Sequence, residues 1–345
     1  MNPKQPSLRI VSVHSYKGGV GKTTVAVLLA AAFAKRGEEV CLVDLDLLAP
    51  ALSELVKITE HGAGPRRNEA RHDIGDFLFG RYDEQRQRCV EVKAKEVCHV
   101  GQFPWPGAEH LKVQLVPART DFDLAIRAQS YLLAEVRSRV LEARVEFMLE
   151  ELQKHRPISL FVLDVPPSLF GTSDAVRRLV EKRAGVLVQI STPTRPDLVG
   201  SREMLSQMVE ERPPIAANTP PAAGRGKRTP IGKPAGPLMA FVVNRCPWDF
   251  SSSNTRLEVA RVVGKALARN ESGRPNRREY ESLAERWLEN FQEVAVIRES
   301  DHLARLSRVP MREDEKQPSL GELLGDGIDE IAGRLLGSLP AKVKP

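Results

Sequence analysis

The sequence predicts an α/β fold of three layers, in which helices flank a mostly parallel, twisted sheet of about seven strands. Three observations carry this prediction. Short segments that are apolar at consecutive positions, such as residues 160–164, are typical of parallel strands buried on both faces. Several of these segments are separated by stretches with helical periodicity. A glycine-rich segment, residues 16–24, joins the first strand to the first helix.

The elements follow in a regular order along the chain. The first helix is predicted from the apolar residues 25–33, and Gly37 is placed to end it before the second strand. Apolar residues at helical spacing predict a long helix over residues 132–152. The predicted strands span residues 8–13, 40–44, 112–116, 160–164, 185–190, 238–243 and 293–297.

The glycine-rich segment has the composition of a phosphate-binding loop. Its glycines allow unusual backbone angles, so that backbone N–H groups and the positive end of the helix dipole face an anion. Lys22 is expected to reach the β- and γ-phosphates, and the Thr23 hydroxyl to hold Mg²⁺. The residues expected to cradle the nucleotide are Gly18, Gly19, Val20, Gly21, Lys22, Thr23 and Thr24.

Carboxylates follow two of the predicted strands. Asp44 and Asp46 end the second strand, and Asp164 ends the fourth, just before a Val-Pro-Pro turn. The carboxyl ends of parallel strands form the edge where ligands bind, so these side chains are expected beside the phosphate loop. Asp164 is expected to hold Mg²⁺ through water, because this ion retains much of its hydration shell.

The loop departs from the general phosphate-loop pattern, because Tyr16 stands where that pattern has glycine and Lys17 follows it. The run Lys-Gly-Gly-Val-Gly-Lys-Thr, followed by Asp-x-Asp at Asp44 and by Asp-x-Pro-Pro at Asp164, resembles the deviant Walker A ATPases of the ParA/MinD family. The resemblance covers residues 8–205 in motif order and residues 238–310 loosely.

This resemblance implies a P-loop NTPase domain that uses ATP and Mg²⁺ and forms a homodimer on binding ATP. It implies that Lys17 crosses the dimer interface to the partner's nucleotide, that Asp46 positions the attacking water, and that Asp44 supports Lys22 and the metal shell. Asn244, at the end of the sixth strand, resembles the base-recognising asparagine of the group. A polar residue that merely ends a strand is an equally good interpretation of Asn244.

The function expected from the resemblance is an ATPase with low intrinsic turnover that acts as an ATP-driven dimerisation switch. It would partition DNA or position another large assembly, with a protein partner that activates it. Two alternatives stay open. One is a regulatory or defence-system ATPase that controls a partner protein. The other is an ATP-dependent carboxylate ligase resembling dethiobiotin synthetase.

Bulk composition fits a cytoplasmic globular protein. The 345 residues are 41% hydrophobic and 28% charged, and no apolar stretch reaches the length of about 20 residues that a membrane helix needs. The four cysteines show neither a close pair nor metal-ligand spacing, as in a reduced compartment. Apolar residues recur over 320–335, but acidic neighbours predict packing against protein and not an anionic membrane.

The chain is expected to form a single domain over residues 1–345 with two additions. One is a basic, Pro-rich loop at about 213–237, and the other is an Arg-rich helical insertion at about 250–292. With a net charge of +6, the chain permits non-specific DNA binding, although a solvated basic surface explains the charge as well. The candidate DNA-contacting residues are Arg225, Lys227, Arg228, Arg256, Arg261, Lys265, Arg269, Arg274, Arg277 and Arg278.

Overall fold

The computed structural model describes most of the chain. The described residues are 8–59, 72–83, 88–119, 135–167, 171–210, 238–246, 257, 259–261, 263–264, 284–285, 288–289, 291–298, 303, 318–325 and 327–341. The basic loop at 213–237, most of the insertion at 250–292 and all the candidate DNA-contacting residues except Arg261 lie outside them. The predictions for those segments therefore stay predictions.

Nine strands form the main sheet within the described residues, in the order β11-β10-β9-β1-β8-β2-β7-β6-β3. Its strands are β1 (Ile10–Ser15), β2 (Val40–Asp44), β3 (Lys57–Ile58), β6 (His99–Gln102), β7 (Lys112–Val116), β8 (Leu160–Asp164), β9 (Val186–Ser191), β10 (Leu238–Cys246) and β11 (Glu293–Arg298). A separate antiparallel hairpin consists of β4 (Arg81–Asp83) and β5 (Arg88–Val90).

All seven predicted strands are present, and adjacent members of this set pair in parallel, which confirms the predicted fold class. The predicted number of strands is too low by two. β6 pairs antiparallel with β7, and β3 pairs antiparallel with β6. These strands are only four and two residues long and are largely half-buried or exposed, so they lack the continuous apolar run of a central strand.

Helices cover both faces of the sheet. They are α1 (Lys22–Lys35), α2 (Leu52–Leu55), α3 (Ile74–Phe79), α4 (Glu135–His155), α5 (Thr172–Lys182), α6 (Arg195–Glu210), α7 (Leu320–Gly325) and α8 (Ile328–Ser338), with a 3₁₀ turn at Ala94–Glu96. One hydrophobic layer joins the sheet to α1, α7 and α8, and the other joins it to α3, α4, α5 and α6. The predicted three-layer arrangement is confirmed.

Helix α1 is apolar around most of its circumference because it lies between the sheet and other helices. Its residues from Val25 to Phe33 are at most 3% exposed. Arg36, just after the helix, donates to the Asp329 carboxylate at 2.5 Å and ties α1 to α8. The chain then turns at Gly37, whose φ of +81° favours glycine, as the sequence predicted.

The two C-terminal helices belong to the core, in agreement with the predicted packing. Their apolar residues Leu320, Leu324, Ile328, Ile331 and Leu335 are at most 4% exposed and join the layer around α1. Of the helices in the described ranges, none combines the length and apolar character that crossing a bilayer demands.

Candidate phosphate-binding site

The predicted phosphate loop connects β1 to α1, and two of its residues have backbone angles that only glycine adopts readily. Gly19 and Gly21 have φ angles of +78° and +86°, in the left-handed region. The Gly21 carbonyl accepts the first helical hydrogen bond from the Val25 N–H at 2.9 Å. Gly18 and Gly19 are exposed. The loop therefore presents accessible backbone at the positive end of the α1 dipole, which suits an anion.

Asn244 packs against this loop from the end of β10. Its Nδ2 donates to the Val20 carbonyl oxygen at 2.7 Å. A Cβ atom at position 21 would lie 2.5 Å from the same Nδ2, so a side chain there would displace the Asn244 amide as well as strain the backbone. Asn244 thus helps to fix the loop. Its expected contact with the base stays a prediction.

Lys22 is buried with two of the predicted carboxylates. Its Nζ donates to Asp164 Oδ1 and lies 3.7 Å from Asp46 Oδ2. Lys22 and Asp46 are each 6% exposed, and Asp164 is fully buried. The register of the sheet explains this arrangement, because β1 and β2 both pair with β8 and bring their carboxyl ends to one edge.

Asp44 adds a third carboxyl group to the cluster. It lies directly opposite Asp164 across β2 and β8, and its oxygens accept the N–H groups of Asp46 at 3.0 Å and Leu52 at 3.3 Å. Burial and the neighbouring Asp164 carboxylate raise the pKa of Asp44 to about 8, in spite of these hydrogen bonds. Burial also raises the pKa of Asp46, although Lys22 opposes this change. The site is therefore short of positive charge.

The cluster fits the chemistry of a hard cation. Asp164 Oδ2 is buried and lacks a hydrogen-bond partner among the described residues, which is costly unless a cation or donor reaches it. Within the same residues, no three His, Cys, Asp or Glu side chains are arranged as a complete metal site. An ion such as Mg²⁺ would therefore take its other ligands from phosphate, from water and from the half-buried Thr23.

Lys17 differs from Lys22 in exposure and in partner. Its side chain is 60% exposed, and its Nζ lies 3.7 Å from Asp197 Oδ1 in the first turn of α6. Asp197 is buried and also accepts the Thr192 hydroxyl, so its position is fixed. Sequence reasoning did not include Asp197 among the site residues. Its acidic position in the first turn of a helix after a buried strand is a signal that could have found it.

A second group that sequence reasoning missed is His14, on β1 below the loop. It is fully buried, and its Nε2 lies 2.9 Å from the Ser12 hydroxyl. Burial, followed by the charges of Lys22 and Arg177, lowers the pKa of His14 to about 3. The imidazole is therefore neutral at physiological pH. His14 follows the predicted strand, residues 8–13, and the sequence gives no sign that the observed strand continues through it and buries it.

The structure brings most of the predicted site residues together at the carboxyl edge of the sheet. The loop contacts Asn244 through Val20, and Lys22 contacts Asp164 and approaches Asp46, beside which Asp44 lies. Thr23 and Thr24 are half-buried at the start of α1. Lys17 lies apart at the surface. The roles of these residues in catalysis and metal binding stay predictions.

A known family model matches most of the chain. The model described as the "CobQ/CobB/MinD/ParA nucleotide binding domain" matches residues 11–309. This range contains every predicted site residue, from Lys17 to Asn244. The match therefore covers both the sheet and the loop that carries the two lysines.

Curated relatives fall into more than one functional group. The chromosome partitioning protein ParA of Caulobacter vibrioides is 28% identical over 163 residues, which are 47% of this chain and 49% of that protein. The cytosolic Fe–S cluster assembly factor cfd1 of Aspergillus fumigatus is 27% identical over 208 residues, covering 53% of this chain and 61% of that protein. The chain thus spans about half of the partitioning protein's length and somewhat more of the assembly factor's.

Solved structures share the fold over nearly the whole chain. An ATP complex of a Cyanothece McdA variant has a TM-score of 0.55 at 15% identity and covers 98% of this chain and 100% of its own. Pyrococcus horikoshii MinD with Mg-ADP has a TM-score of 0.51 at 17% identity, covering 97% and 100%. The pNOB8 ParA bound to nonspecific DNA scores 0.51 at 14% identity, covering 96% and 99%. At these identities the likeness establishes the fold.

Proposed function

Because the chain belongs to the CobQ/CobB/MinD/ParA nucleotide-binding domain family, we propose that it is a Mg²⁺-dependent ATPase whose association state is switched by ATP. The observation that carries this proposal is the buried contact of Lys22 with Asp164 and Asp46 directly behind the phosphate loop. An ammonium group held at the helix start lies beside the exposed loop backbone, where a phosphate would bind. MinD and ParA proteins are P-loop ATPases, which supports an ATPase activity for this chain.

ATP binding would redistribute the charges of the cluster. The γ-phosphate would replace Asp164 as the partner of Lys22, and the freed Asp164 carboxylate would hold Mg²⁺ together with Thr23 and Asp44. The metal would neutralise charge that develops on the phosphates during transfer. The raised pKa of Asp44 fits this role, because a second cation would relieve its unfavourable ionisation.

Asp46 is our candidate for positioning the attacking water. It lies in the same buried cluster, and its Oδ2 is 3.7 Å from the Lys22 ammonium, where the γ-phosphate is expected. Its other oxygen accepts the Ala49 N–H at 3.2 Å, which fixes the orientation of the carboxylate. A carboxylate fixed in this way can orient a water molecule and accept its proton.

The exposed Lys17 supports the dimerisation part of the proposal. With 60% of its side chain exposed, it is accessible to a second copy of the chain, whereas the buried Lys22 is not. We propose that Lys17 contacts the nucleotide of that second copy, so that ATP links two protomers and hydrolysis loosens them. Association would then depend on the γ-phosphate by mass action.

The biological role that we propose is partitioning or positioning of DNA or another large assembly, in the cytoplasm and with an activating protein partner. The ParA relative and the DNA-bound ParA neighbour favour this class. Non-specific DNA contact would use the basic residues named above, of which Arg261 is described, and would weaken steeply with salt. We also propose that residues 1–345 form one ATPase domain with two additions, at about 213–237 and 250–292.

Three other roles remain candidates within this proposal. Relatives in Fe–S cluster assembly favour cluster handling, but the described cysteine thiols, Cys41 and Cys98, are buried and cannot hold a cluster at the surface.

A regulatory or defence-system ATPase would use the same dimer switch on a protein partner. A carboxylate ligase would turn over ATP only when its small substrate is present, and product analysis detects this.

Light scattering with and without nucleotide tests the proposed switch. We expect a monomer with Mg-ADP and a dimer with Mg²⁺ and a non-hydrolysable ATP analogue. The Lys17→Ala variant should bind the analogue but stay monomeric, while the Lys35→Ala variant, altered at an exposed lysine on α1, should dimerise normally. Dimerisation of Lys17→Ala at the wild-type concentration would contradict the proposed role of Lys17.

A further inference from the structure

The aromatic ring of Tyr16 rests directly on the backbone of α6 at Gly200. A Cβ atom built on Gly200 would overlap the ring atoms Cδ1, Cε1 and Cγ of Tyr16. Gly200 is buried, whereas Tyr16 is 46% exposed. The ring therefore occupies the space that any other residue at position 200 would fill with its own side chain. Tyr16 stands where the general phosphate-loop pattern has glycine, so this contact is a property of this variant of the loop.

The same stretch of α6 also contacts the next residue of the loop. Asp197, three residues before Gly200, lies 3.7 Å from the Lys17 ammonium. Residues three apart on a helix lie on the same face, so Asp197 and Gly200 present one surface to the loop. Tyr16 and Lys17 are adjacent in the chain, and the two contacts together attach the start of the exposed loop to α6.

We propose that Tyr16 is a positioning residue for Lys17. The ring seated on Gly200 fixes the backbone at the start of the loop and thereby places the Lys17 ammonium beside α6. The ion pair with Asp197 does not suffice for this, because the Lys17 side chain is 60% exposed and water screens its charge. Part of the proposal rests on the proposed function: by placing Lys17, Tyr16 determines how readily ATP links two copies. Position 200 must be glycine for this contact, because any side chain there would overlap the ring.

Amine labelling without nucleotide tests the placement of Lys17 whether or not the protein dimerises. The protein is acetylated briefly, and the rate at Lys17 is compared by mass spectrometry with that at the exposed Lys35. Gly200→Ala and Tyr16→Ala should each raise the relative rate at Lys17 about two- to fivefold, because the ion pair that holds its ammonium is weakened. Tyr16→Phe retains the ring and should label as wild type. Asp197→Asn, which removes the ion pair itself, is the positive control.

A double-mutant cycle identifies the cause of the Gly200→Ala effect. If alanine acts by displacing the ring, Gly200→Ala should change the labelling of the Tyr16→Ala variant little or not at all. A matched control is Gly337→Ala in α8, where a Cβ atom would meet no described atom within 4 Å. Equal effects of Gly200→Ala in both backgrounds, or unchanged Lys17 labelling in the single variants, would overturn the proposal.

Association tests the functional consequence. With Mg²⁺ and a non-hydrolysable ATP analogue, Gly200→Ala should bind nucleotide as tightly as wild type but dimerise at least about tenfold more weakly. The Tyr16→Phe variant, which retains the ring beside the native Gly200, should dimerise as wild type, whereas Tyr16→Ala should be as weak as Gly200→Ala. Unchanged dimerisation of Gly200→Ala would contradict the link to ATP-dependent association. If the wild type itself stays monomeric, the proposed function fails, and the labelling experiment still decides whether Tyr16 positions Lys17.

Discussion

Two clusters of oppositely charged side chains in this molecule use the same residue types with opposite consequences. One is the phosphate-binding site. The other is the ion-pair network between α4 and α5, which consists of Glu142, Glu146, Glu150, Asp174, Arg178, Lys182 and Arg183. The network has nearly as many basic groups as acidic groups. In the site, by contrast, the single ammonium group of Lys22 is shared by Asp46 and Asp164.

Glu146 shows the effect of balance in the network. It accepts hydrogen bonds at 2.6 Å from both Lys182 Nζ and Arg183 Nε. Burial by itself would raise the pKa of Glu146, but the hydrogen bonds and the positive charges of Lys182 and Arg183 together outweigh it and lower the pKa. The carboxylate is therefore stable as an anion, and nothing in its environment requires a further cation.

In the phosphate-binding site, the pKa of Asp44 changes in the opposite direction from that of Glu146. Burial and the adjacent Asp164 raise the pKa of Asp44 to about 8, because the hydrogen bonds from Leu52 and Asp46 and the charge of Lys22 offset these effects only in part. The network therefore contributes to folding as it stands, while the site stores unfavourable electrostatics that a bound cation would relieve. Charged clusters that lack compensation in the folded protein are often functional.

The largest expected effect comes from Lys22→Ala, which removes the cation of the site. We expect the affinity for Mg-ATP to fall on the order of 100-fold or more, because a buried charge partner is lost. Calorimetric titration measures this change. Unfolding by denaturant should show a loss of about 3–5 kcal/mol in the free energy of unfolding, since Asp164 and Asp46 remain buried without a cation. Wild-type affinity in this variant would remove Lys22 from the site.

The second prediction concerns Asp46→Ala. Turnover of ATP should fall by a factor of about 10²–10⁴, while ATP binding is retained and the protein stalls as a dimer. Stability should not decrease, because the change removes one of several carboxylates that share a single ammonium. Glu146→Ala is the contrasting variant, since it should leave turnover unchanged but destabilise the fold. Phosphate release assays and denaturant unfolding measure the two properties, and normal turnover in Asp46→Ala would rule out its water-positioning role.

A third prediction is a loss of stability with rising pH in the nucleotide-free protein. The pKa of Asp44 is raised from 3.8 to about 8 by folding, so the folded state binds more protons and stability falls across this range. His14 has the opposite effect. Folding lowers its pKa from 6.5 to about 3, so stability rises with pH up to about 6.5 and changes little above that pH on account of His14. Between about pH 6.5 and 8 the free energy of unfolding should therefore fall by about 2 kcal/mol at most.

Unfolding at several pH values measures this slope, and Asp44→Asn supplies the comparison. The variant cannot ionise at position 44, so its slope above pH 6.5 should be smaller than that of the wild type. A remaining slope would come from Asp46, whose pKa is also raised by burial. An identical slope in the two proteins would show that Asp44 is ionised throughout this range.

The smallest expected effect is that of Lys182→Ala in the network. Its side chain is 56% exposed, and Glu146 keeps Arg183 as a partner. We expect a loss of less than about 1 kcal/mol in the free energy of unfolding and no change in ATP binding. A loss of unfolding free energy as large as that of Lys22→Ala would mean that charge balance and solvent exposure do not explain the difference between the two clusters.

Local sequence patterns were enough to predict the seven parallel strands, the phosphate loop and the carboxylates at the ends of β2 and β8. These features are local, because a buried strand needs a continuous apolar run and a left-handed turn needs glycine. The three-dimensional arrangement was needed to reveal the added strands β3 and β6, the contact of Asn244 with Val20, and the contact of the Tyr16 ring with Gly200. It also decided that Asp44 faces Asp164, which raises the pKa of Asp44. Most of these contacts join residues more than one hundred positions apart, and their geometry depends on strand order and register, which no local pattern specifies.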